Sequence, residues 1–355
     1  MATSASVEAL RLEALGASSS TPGLTAMSTS LLRAPRLMDT TTNKSYKRGQ
    51  ILFIEWALAQ DISLTSFTDV HLTNFLSEMF QTRGYNHSTI CLFRSAVTHL
   101  HEHPSSLRSS DIVNSLIASL KSRAPPQPIH RPTVDLSPSL KAVRLIDIND
   151  LSTPLPHLQQ KLAFLLGVAA FLRPSDLHRI DFTTANIEIE RNRQCLSFQF
   201  VAPKERRAGR RIIKPFRVYS HQDPSLCPVA TFQAIRDRLA HLIPQPTVTS
   251  FFVNTSMTTQ IVKVTTISSW IRRLIRLSTS EPRVNLRSLA SSAALRAGID
   301  LDDIITLGNW SSSTVFEQHY RREHLTNVDF TNTVLPVPED EETFHDASSN
   351  FDNNL

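Results

Sequence analysis

The sequence has little glycine, little cysteine and no long apolar run. Eight glycines in 355 residues leave few glycine-dependent loops and favour a helix-rich chain. The three cysteines, Cys91, Cys195 and Cys227, are odd in number and far apart, which argues against a disulfide framework and a cysteine-based metal site. The longest apolar run, Leu162 to Leu172, is shorter than the roughly 18–20 residues that span a bilayer. Neither a membrane span nor a secretory signal is predicted.

Motifs for several common kinds of enzyme chemistry are also missing. The sequence contains no glycine-rich phosphate loop, no His/Cys cluster at metal-ligand spacing and no G-x-S-x-G elbow. A metal-dependent nuclease needs converging carboxylates, and the isolated stretch Asp300 to Asp303 is better explained as a helix cap. Any chemistry must then rest on Arg, Lys and Tyr. We expect no metal, no cofactor and no small-molecule substrate.

The charge is unevenly distributed along the chain. Residues 331–355 carry six acids and no Lys or Arg, so residues 1–330 have a formal charge of +11, although the whole chain has +5. A basic body followed by an acidic tail suggests a polyanionic partner.

Composition and periodicity divide the chain into five segments. Residues 1–28 are rich in Ser, Thr and Ala without periodicity, which predicts disorder. Residues 29–122 hold four helical patterns, and residues 123–139 hold five of the twenty prolines, which predicts a stiff linker. Residues 140–324 form a second domain, and residues 325–355 form a C-terminal segment with an acidic tail.

The second domain is predicted to combine helices with a β-hairpin. Strand-like Cys195 to Pro203 leads through the basic stretch KERRAGRR, where Gly209 offers a turn, to a second strand. Farther along, Thr314 and Glu317 have the spacing of a capping box, which predicts a short helix that carries Tyr320.

Phosphoryl transfer needs few residue types beyond Arg, Lys and Tyr. Its transition state spreads negative charge over equatorial oxygens, which fixed guanidinium groups can bind bidentately. A nucleophile must be held in line with the leaving group, and a general acid must protonate the departing alkoxide.

Two stretches of the second domain resemble a known family. FLRPSDL, Phe171 to Leu177, looks like the first box of tyrosine recombinases, and VNLRSLASSAALRAGIDLDDIITLGNWSSSTVFEQHY, which ends at Tyr320, resembles the second. The basic hairpin between them matches the place where the family keeps a catalytic lysine. The likeness runs from about residue 40 to residue 322. LRPSD, NLRSLAS and NWSSST look most like the eukaryotic branch, carried by Crypton-type transposons and tyrosine-recombinase retrotransposons.

The resemblance implies a mainly α chain with a small β-hairpin or sheet. Residues 29–122 would be an all-helical, SAM-like core-binding domain, and residues 140–324 a mixed α+β catalytic domain. The implied activity is DNA breakage and rejoining in the integration or recombination of a mobile element. The implied partner is double-stranded DNA, with a homo-tetramer assembled on it. The eukaryotic branch and the basic hairpin suggest a nuclear location, and the cytoplasm is the alternative.

The family's catalytic residues can be carried over position by position. Arg173 and Arg287 would bind the scissile phosphate, and Lys204 would be the general acid for the leaving 5′-oxygen. Trp310 would stand where the family has His or Trp and donate its indole N–H. Tyr320 would attack the phosphate and form a 3′-phosphotyrosyl link. This link retains the energy of the broken bond, so rejoining would need neither ATP nor metal.

Two further positions complete the comparison with the family. Asp176 would support the arginines without performing chemistry. Val284 departs from the pattern, because the family has His or sometimes Lys three residues before the second arginine. Valine can neither accept a proton nor bond a phosphoryl oxygen. General acid–base help contributes typically about 10²–10⁴-fold, so this change predicts either a slow or an inactive enzyme.

Several basic residues are candidates for phosphate contacts, which set affinity and salt dependence without giving sequence specificity. They are Lys44, Lys47, Arg48, Arg83, Arg94, Arg206, Arg207, Arg272, Arg273 and Arg276. The alternative for each is a solvated surface cation, and the hairpin stretch could equally be a nuclear-import patch.

Two other functions remain open at this point. The first is a domesticated DNA-binding protein that kept the fold and lost the chemistry, which Val284 supports. The second is a type IB topoisomerase, which shares the catalytic set. A compact core-binding domain and the lack of a long coiled-coil insertion count against the topoisomerase.

Overall fold

The structure is a computed structural model. In it the chain is divided into two compact units, Met1–Gln127 and Pro128–Leu355. It describes residues 4–17, 23–126, 128–200, 206–207, 210–211, 215–242, 250–255, 260–325, 331 and 334–335. Within these residues, the structure contains no helix that is both long and apolar enough to cross a membrane.

The N-terminal unit is helical throughout its described part. Its helices are α1 Ser4–Ala17, α2 Ala26–Leu37, α3 Thr41–Ala59, α4 Asp69–Gln81, α5 His87–Thr98, α6 Pro104–Ser109 and α7 Asp111–Ser122. Thr68 begins α4 with a capping box, and Asn86 caps α5. The ring of Phe53 packs against those of Phe67 and Phe75 in the core of this unit.

The first helix differs from the disorder predicted for residues 1–28. Val7, Arg11, Ala14 and Leu15 are buried, and their spacing places them on one face of α1. Arg11 Nη1 donates a hydrogen bond to Gln50 Oε1 at 2.9 Å, which ties α1 to α3. Composition concealed this face because Ala and Arg stand in it beside only two large apolar residues.

The C-terminal unit combines helices with two small antiparallel β-structures. Its helices are α8 Ser137–Arg144, α9 Leu155–Ala169, α10 Pro174–Leu177, α11 Pro228–Leu242, α12 Val264–Ile275, α13 Leu286–Arg296, α14 Leu301–Gly308 and α15 Ser313–His319. Its strands are β1 Ile180–Glu190, β2 Arg193–Phe200, β3 Arg206–Arg207, β4 Arg210–Arg211 and β5 Phe216–Tyr219. The prediction of a mainly α chain with a small sheet is confirmed.

The larger sheet has the order β1-β2-β5, with β2 in the middle. The predicted hairpin is the pairing of β2 with β5, in which Cys195 lies opposite Tyr219. The prediction missed β1, which extends the sheet on the other side of β2. The sheet buries Phe198 and Phe216 against the helices of this unit.

Helix α9 is the centre of this unit's core, because it is buried from Leu158 to Gly167 and packs against α11, α12 and α13. A separate apolar cluster, which includes Phe171, Trp310 and Phe316, joins α13, α14 and α15. The end of α9 and the last three helices are therefore fixed in place close to one another.

Two local predictions need correction. Helix α8 begins at Ser137, inside the predicted linker, because proline is tolerated in the first turn, where Pro138 stands. The residue that caps α15 is Ser312, whose Oγ accepts from the Val315 N–H at 3.4 Å. The predicted capping residue Thr314 therefore already lies inside the helix.

Candidate active site

Arg173 stands at a break between two helices. After α9 ends, Phe171 adopts a left-handed conformation with a φ of 51°, and Arg173 then caps α10. Such a conformation costs about 1–3 kcal/mol, and the packing of the Phe171 ring beside Trp310 holds it in place. The Arg173 side chain is 34% exposed and lines an open cavity.

The buried carboxylate of Asp176 contacts two arginines. One of its oxygens accepts the Arg173 backbone N–H at 3.1 Å and lies 3.6 Å from Arg173 Nη1. The other oxygen accepts Arg179 Nη2 at 2.8 Å. A buried carboxylate requires such donors, so Asp176 and Arg179 together fix the backbone from which Arg173 projects.

Arg287, on the first turn of α13, is 5% exposed. Its Nη1 donates to the carbonyl of Phe171 at 2.9 Å, and its Nη2 donates to the carbonyl of Gly308. Its guanidinium carbon lies 4.2 Å from the ring centre of Trp310 and 5.1 Å from that of Tyr320. A buried positive charge therefore lies directly beside both aromatic rings.

Tyr320 stands at the C-terminal cap of α15 and is held at both its ends. Its backbone carbonyl accepts hydrogen bonds from the hydroxyls of Ser288 and Ser292, which are one turn apart on α13. Its phenolic oxygen accepts Arg173 Nη2 at 3.2 Å. The arginines and the tyrosine of the two sequence boxes thus lie at one place, although Arg173 and Tyr320 are 147 residues apart in the chain.

The phenol of Tyr320 has a lowered pKa. Burial raises the pKa of this group, but the hydrogen bond from Arg173 and the charges of Arg173 and Arg287 outweigh burial. The indole N–H of Trp310 lowers the pKa further, although it lacks the geometry of a hydrogen bond. Deprotonation of the Tyr320 phenol is therefore easier here than for a tyrosine in water.

Trp310 is 8% exposed and packs between Phe316 and Tyr320, with ring centres 5.2 Å and 4.9 Å away. Its buried Nε1 has no hydrogen-bond partner within the described part of the chain. Gly308 leaves room for the indole, since a Cβ at this position would lie 1.8 Å from a Trp310 ring carbon.

The cavity at these residues has a volume of about 580 Å³. The basic residues along its wall are Arg173, Arg272, Arg276, Arg283 and Arg287. Among its lining residues only Glu281 is acidic, and this carboxylate pairs with Arg322. An excess of guanidinium groups in a concave site suits an anionic ligand.

Val284 lines the same cavity and packs partly against the core. The described lining contains no histidine and no lysine. This wall therefore offers no group there that exchanges protons near neutral pH. No group of three or more His, Cys, Asp or Glu residues that could hold a metal ion occurs in the described ranges.

The remaining predicted residues of this unit are only partly brought to the site. Lys204 lies outside the described residues. Arg206 and Arg207 form β3, where they lie opposite Arg211 and Arg210 of β4. Their contribution to the site stays a prediction. On α12, Arg272 and the C-terminal Arg276 line the cavity, whereas the exposed Arg273 does not.

The other candidates for phosphate contacts belong to the N-terminal unit. They are Lys44, Lys47 and Arg48 on α3, Arg83 after α4, and Arg94 on α5. Four of them bind another side chain: Lys44 binds Asp39 at 3.0 Å, Lys47 binds Glu8 at 3.0 Å, Arg48 binds the Tyr85 hydroxyl at 2.7 Å, and Arg94 binds Asn114 Oδ1 at 2.7 Å. A phosphate would compete with these partners.

The sequence motifs missed three residues that hold the site together. Arg179 pairs with Asp176, and Ser288 and Ser292 bind the Tyr320 carbonyl. The four-residue spacing of the two serines on the helix of Arg287 was the available signal, because such residues share a helix face.

Comparison with known proteins gives a result at the level of the fold. No protein-family model matches the sequence, and no curated protein sequence matches it. Solved structures do match. One is the XerH site-specific recombinase bound to palindromic difH substrate in a post-cleavage complex, 12% identical with a TM-score of 0.55, covering 88% of this chain and 93% of that one.

Two further matches agree with it. The XerH recombinase in its pre-cleavage complex with difH is 12% identical with a TM-score of 0.54, covering 86% of this chain and 91% of that one. The Tn1549 transposon integrase in complex with transposon right end DNA is 10% identical with a TM-score of 0.50, covering 88% and 95%. This chain therefore has the fold of tyrosine recombinases.

Proposed function

We propose that this chain cleaves and rejoins double-stranded DNA as a tyrosine recombinase, through a 3′-phosphotyrosyl intermediate. The observation that carries the proposal is the hydrogen bond from Arg173 to the Tyr320 hydroxyl at 3.2 Å, beside the buried charge of Arg287. Solved structures of the same fold were determined with DNA bound, which supports a DNA substrate.

Each step of the proposed reaction has a residue in this chain. The Tyr320 phenol releases its proton to water and its oxygen attacks the phosphorus, so a new O–P bond forms while the bond from phosphorus to the 5′-oxygen breaks. Lys204 gives its proton to that oxygen. Arg173 binds a non-bridging oxygen from the exposed wall of the cavity, and the Trp310 N–H donates to another. Rejoining reverses these steps and returns the proton to Lys204.

Arg287 has a different part in this proposal. Because it already donates to two backbone carbonyls, it acts chiefly as a fixed positive charge. That charge favours both the phenolate and the developing negative charge on the phosphoryl group. Asp176 supports Arg173 and takes no part in the chemistry.

The finer features of the proposal follow the resemblance of the sequence. They are membership of the eukaryotic Crypton-type branch, action in a mobile element, assembly as a homo-tetramer on DNA, and a location in the nucleus. The basic residues of α12 that line the cavity would contact phosphates on either side of the cleaved bond.

A second candidate function is supported by one residue. Val284 leaves the cavity wall without the imidazole of the family, which suits a protein that binds DNA and has lost the chemistry. In that case the basic cavity would remain a phosphate-binding site, and Tyr320 would only pack.

The test is covalent trapping on a pool of nicked duplexes, whose cleaved end diffuses away. We expect adducts that survive SDS with the wild type and none with Tyr320→Phe. Sequencing of the trapped DNA would then identify the target site. If the wild type binds the pool but yields no adduct, whereas Val284→His yields one, the second function would be established. Site-independent relaxation of supercoiled plasmid by a monomer would indicate a topoisomerase.

A further inference from the structure

The segment His130 to Pro132, within the proline-rich stretch, contacts the chain on both sides of Tyr320. The Arg131 backbone N–H donates to the Arg322 carbonyl at 2.7 Å, and Arg131 Nη2 donates to the His319 carbonyl at 3.4 Å. The His324 backbone N–H donates to His130 Nδ1 at 3.3 Å. These bonds reach the residues one before, two after and four after the tyrosine.

Arg322 is the central residue of this contact and is 2% exposed. Its Nε and Nη2 donate to the Pro132 carbonyl at 3.1 Å and 3.0 Å, and Nη2 also pairs with Glu281. Its backbone N–H donates to Ser292 Oγ at 3.0 Å. An arginine remains charged when buried, so it is stable here only with these partners.

The local chain needs such support because Tyr320 lies just past the end of α15. Its own N–H and that of Arg321 both donate to the Phe316 carbonyl, at 2.8 Å and 2.9 Å, and these are the last backbone bonds to α15 in the described chain. The hydroxyls of Ser288 and Ser292 hold its carbonyl from the side of α13. The segment His130 to Pro132, through Arg322, holds the next residues from another direction.

We propose that Arg322 is a positioning residue for the nucleophile. Together with Glu281 and the segment His130 to Pro132, it keeps the Tyr320 hydroxyl within hydrogen-bond reach of Arg173. The first residues of the C-terminal unit thus help to determine where the nucleophile stands. This inference rests on the proposed function for its meaning, but its geometry does not depend on DNA.

A purely structural role for Arg322 makes a different prediction. Loss of a buried ion pair would then lower the stability of the unit and leave the surroundings of the folded Tyr320 unchanged. A positioning role changes the phenol itself, because separation from Arg173 removes the hydrogen bond and charge that favour the phenolate. The pKa of Tyr320 therefore distinguishes the two roles in folded protein.

The test uses the full chain with Arg322→Met, Arg322→Lys and the control Arg296→Met. Arg296 is matched because it pairs with the neighbouring Glu323 at 3.3 Å but is 43% exposed. Tyrosines labelled at Cζ with ¹³C are titrated by NMR, and the signal of Tyr320 is assigned by Tyr320→Phe. The rate of adduct formation on nicked duplex is measured alongside, and thermal melting selects conditions in which each variant is folded.

We expect Arg322→Met to raise the pKa of Tyr320 and to slow adduct formation about a hundredfold, as an ångström-scale misplacement does. Arg322→Lys should recover part of both effects, and Arg296→Met should show neither. If Arg322→Met does not fold, Arg131→Pro removes the backbone bond to Arg322 and the side-chain bond to His319 while it leaves the Arg322 side chain in place, and it should show the same changes to a smaller extent.

The outcomes separate the inference from the proposed function. An unchanged Tyr320 titration and an unchanged adduct rate in folded Arg322→Met and Arg131→Pro would overturn the inference alone. A raised pKa of Tyr320 with no adduct from any variant, wild type included, would support the positioning role and count against the recombinase chemistry.

Discussion

The two sides of the basic cavity are built in opposite ways. On the side of Tyr320, the phenolic oxygen and the carbonyl of this residue and the guanidinium of the neighbouring Arg287 all have hydrogen-bond partners, and Trp310 packs against the Tyr320 ring. On the side of Val284, an apolar side chain borders the open volume and exposed arginines of α12 stand around it. One side is a packed polar network, and the other is a surface that accepts change.

This difference suggests which parts of the site tolerate substitution and which do not. A packed network is costly to alter, because each buried donor or acceptor that loses its partner destabilises the fold by about 1–3 kcal/mol. Val284 has no polar group on its side chain, so a substitution there changes chemistry at little cost in stability. The following predictions test this asymmetry.

The largest effect is expected from Arg173→Met. This change removes the donor to the Tyr320 hydroxyl and a group proposed to bind the phosphate, so adduct formation on nicked duplex should fall by about 10³-fold. Melting temperature should change little, because the side chain is partly exposed. The control is Arg236→Met, a partly exposed arginine of α11 that pairs with Asp237 at 3.3 Å and does not line the cavity, which should keep nearly the full rate. An equal loss in both variants would contradict the assigned role.

Val284→His should produce the next largest effect, in the opposite direction. An imidazole at this wall supplies a proton-exchanging group, and we expect adduct formation to rise by about 10²-fold, the lower end of general acid–base contributions. The matched control is Val284→Gln, which is polar but does not exchange protons. A similar gain with glutamine would show that polarity alone is limiting, and no gain with histidine would mean that another group already acts there.

Gly308→Ala should destabilise the packed side of the cavity by displacing the Trp310 ring. Its Cβ would meet the Trp310 ring, and overpacking of this kind costs about 1–3 kcal/mol. Denaturant unfolding would measure this loss, with Val284→Ala as the comparison on the open side. If Val284→Ala cost as much as Gly308→Ala, the two sides would be equally packed and the comparison would fail.

The smallest effect is a change in pH dependence. Because Arg173 and Arg287 lower the pKa of Tyr320 in the folded protein, the wild type should become more stable relative to Tyr320→Phe as pH rises toward about 10, the usual tyrosine value. The sign is fixed, since the unfolded chain holds this proton to higher pH. In Arg173→Met burial is opposed by less charge, so the pKa should rise and the difference should shrink. Unfolding free energies between pH 8 and about 10.5 would measure it.

How far the sequence predicted this site depends on how far apart in the chain the contacting residues lie. Arg173, Arg287 and Tyr320 were found because short motifs surround them, and Asp176 was found because it lies within the same box. The partners Ser292, Glu281 and Pro132 were not, because their contacts join segments 28 to 190 residues apart. Such pairings depend on tertiary packing and leave no local pattern.

The fold shows the same division. Helices with a wide apolar face, such as α4 and α5, were predicted from periodicity, whereas α1 was missed because its buried face includes Arg11 and alanine. The short caps were the least predictable, as Ser312 in place of Thr314 illustrates.

The two hydrogen bonds from Arg287 to backbone carbonyls affect how mutagenesis of this site should be interpreted. The guanidinium ties the loop at Phe171 to the end of α14 at Gly308, so it serves as a structural brace as well as a charge. Removing it would free Trp310 and the segment that carries Tyr320 together. An inactive Arg287 variant would therefore be uninformative about mechanism, whereas Arg173 can be replaced to test the chemistry alone.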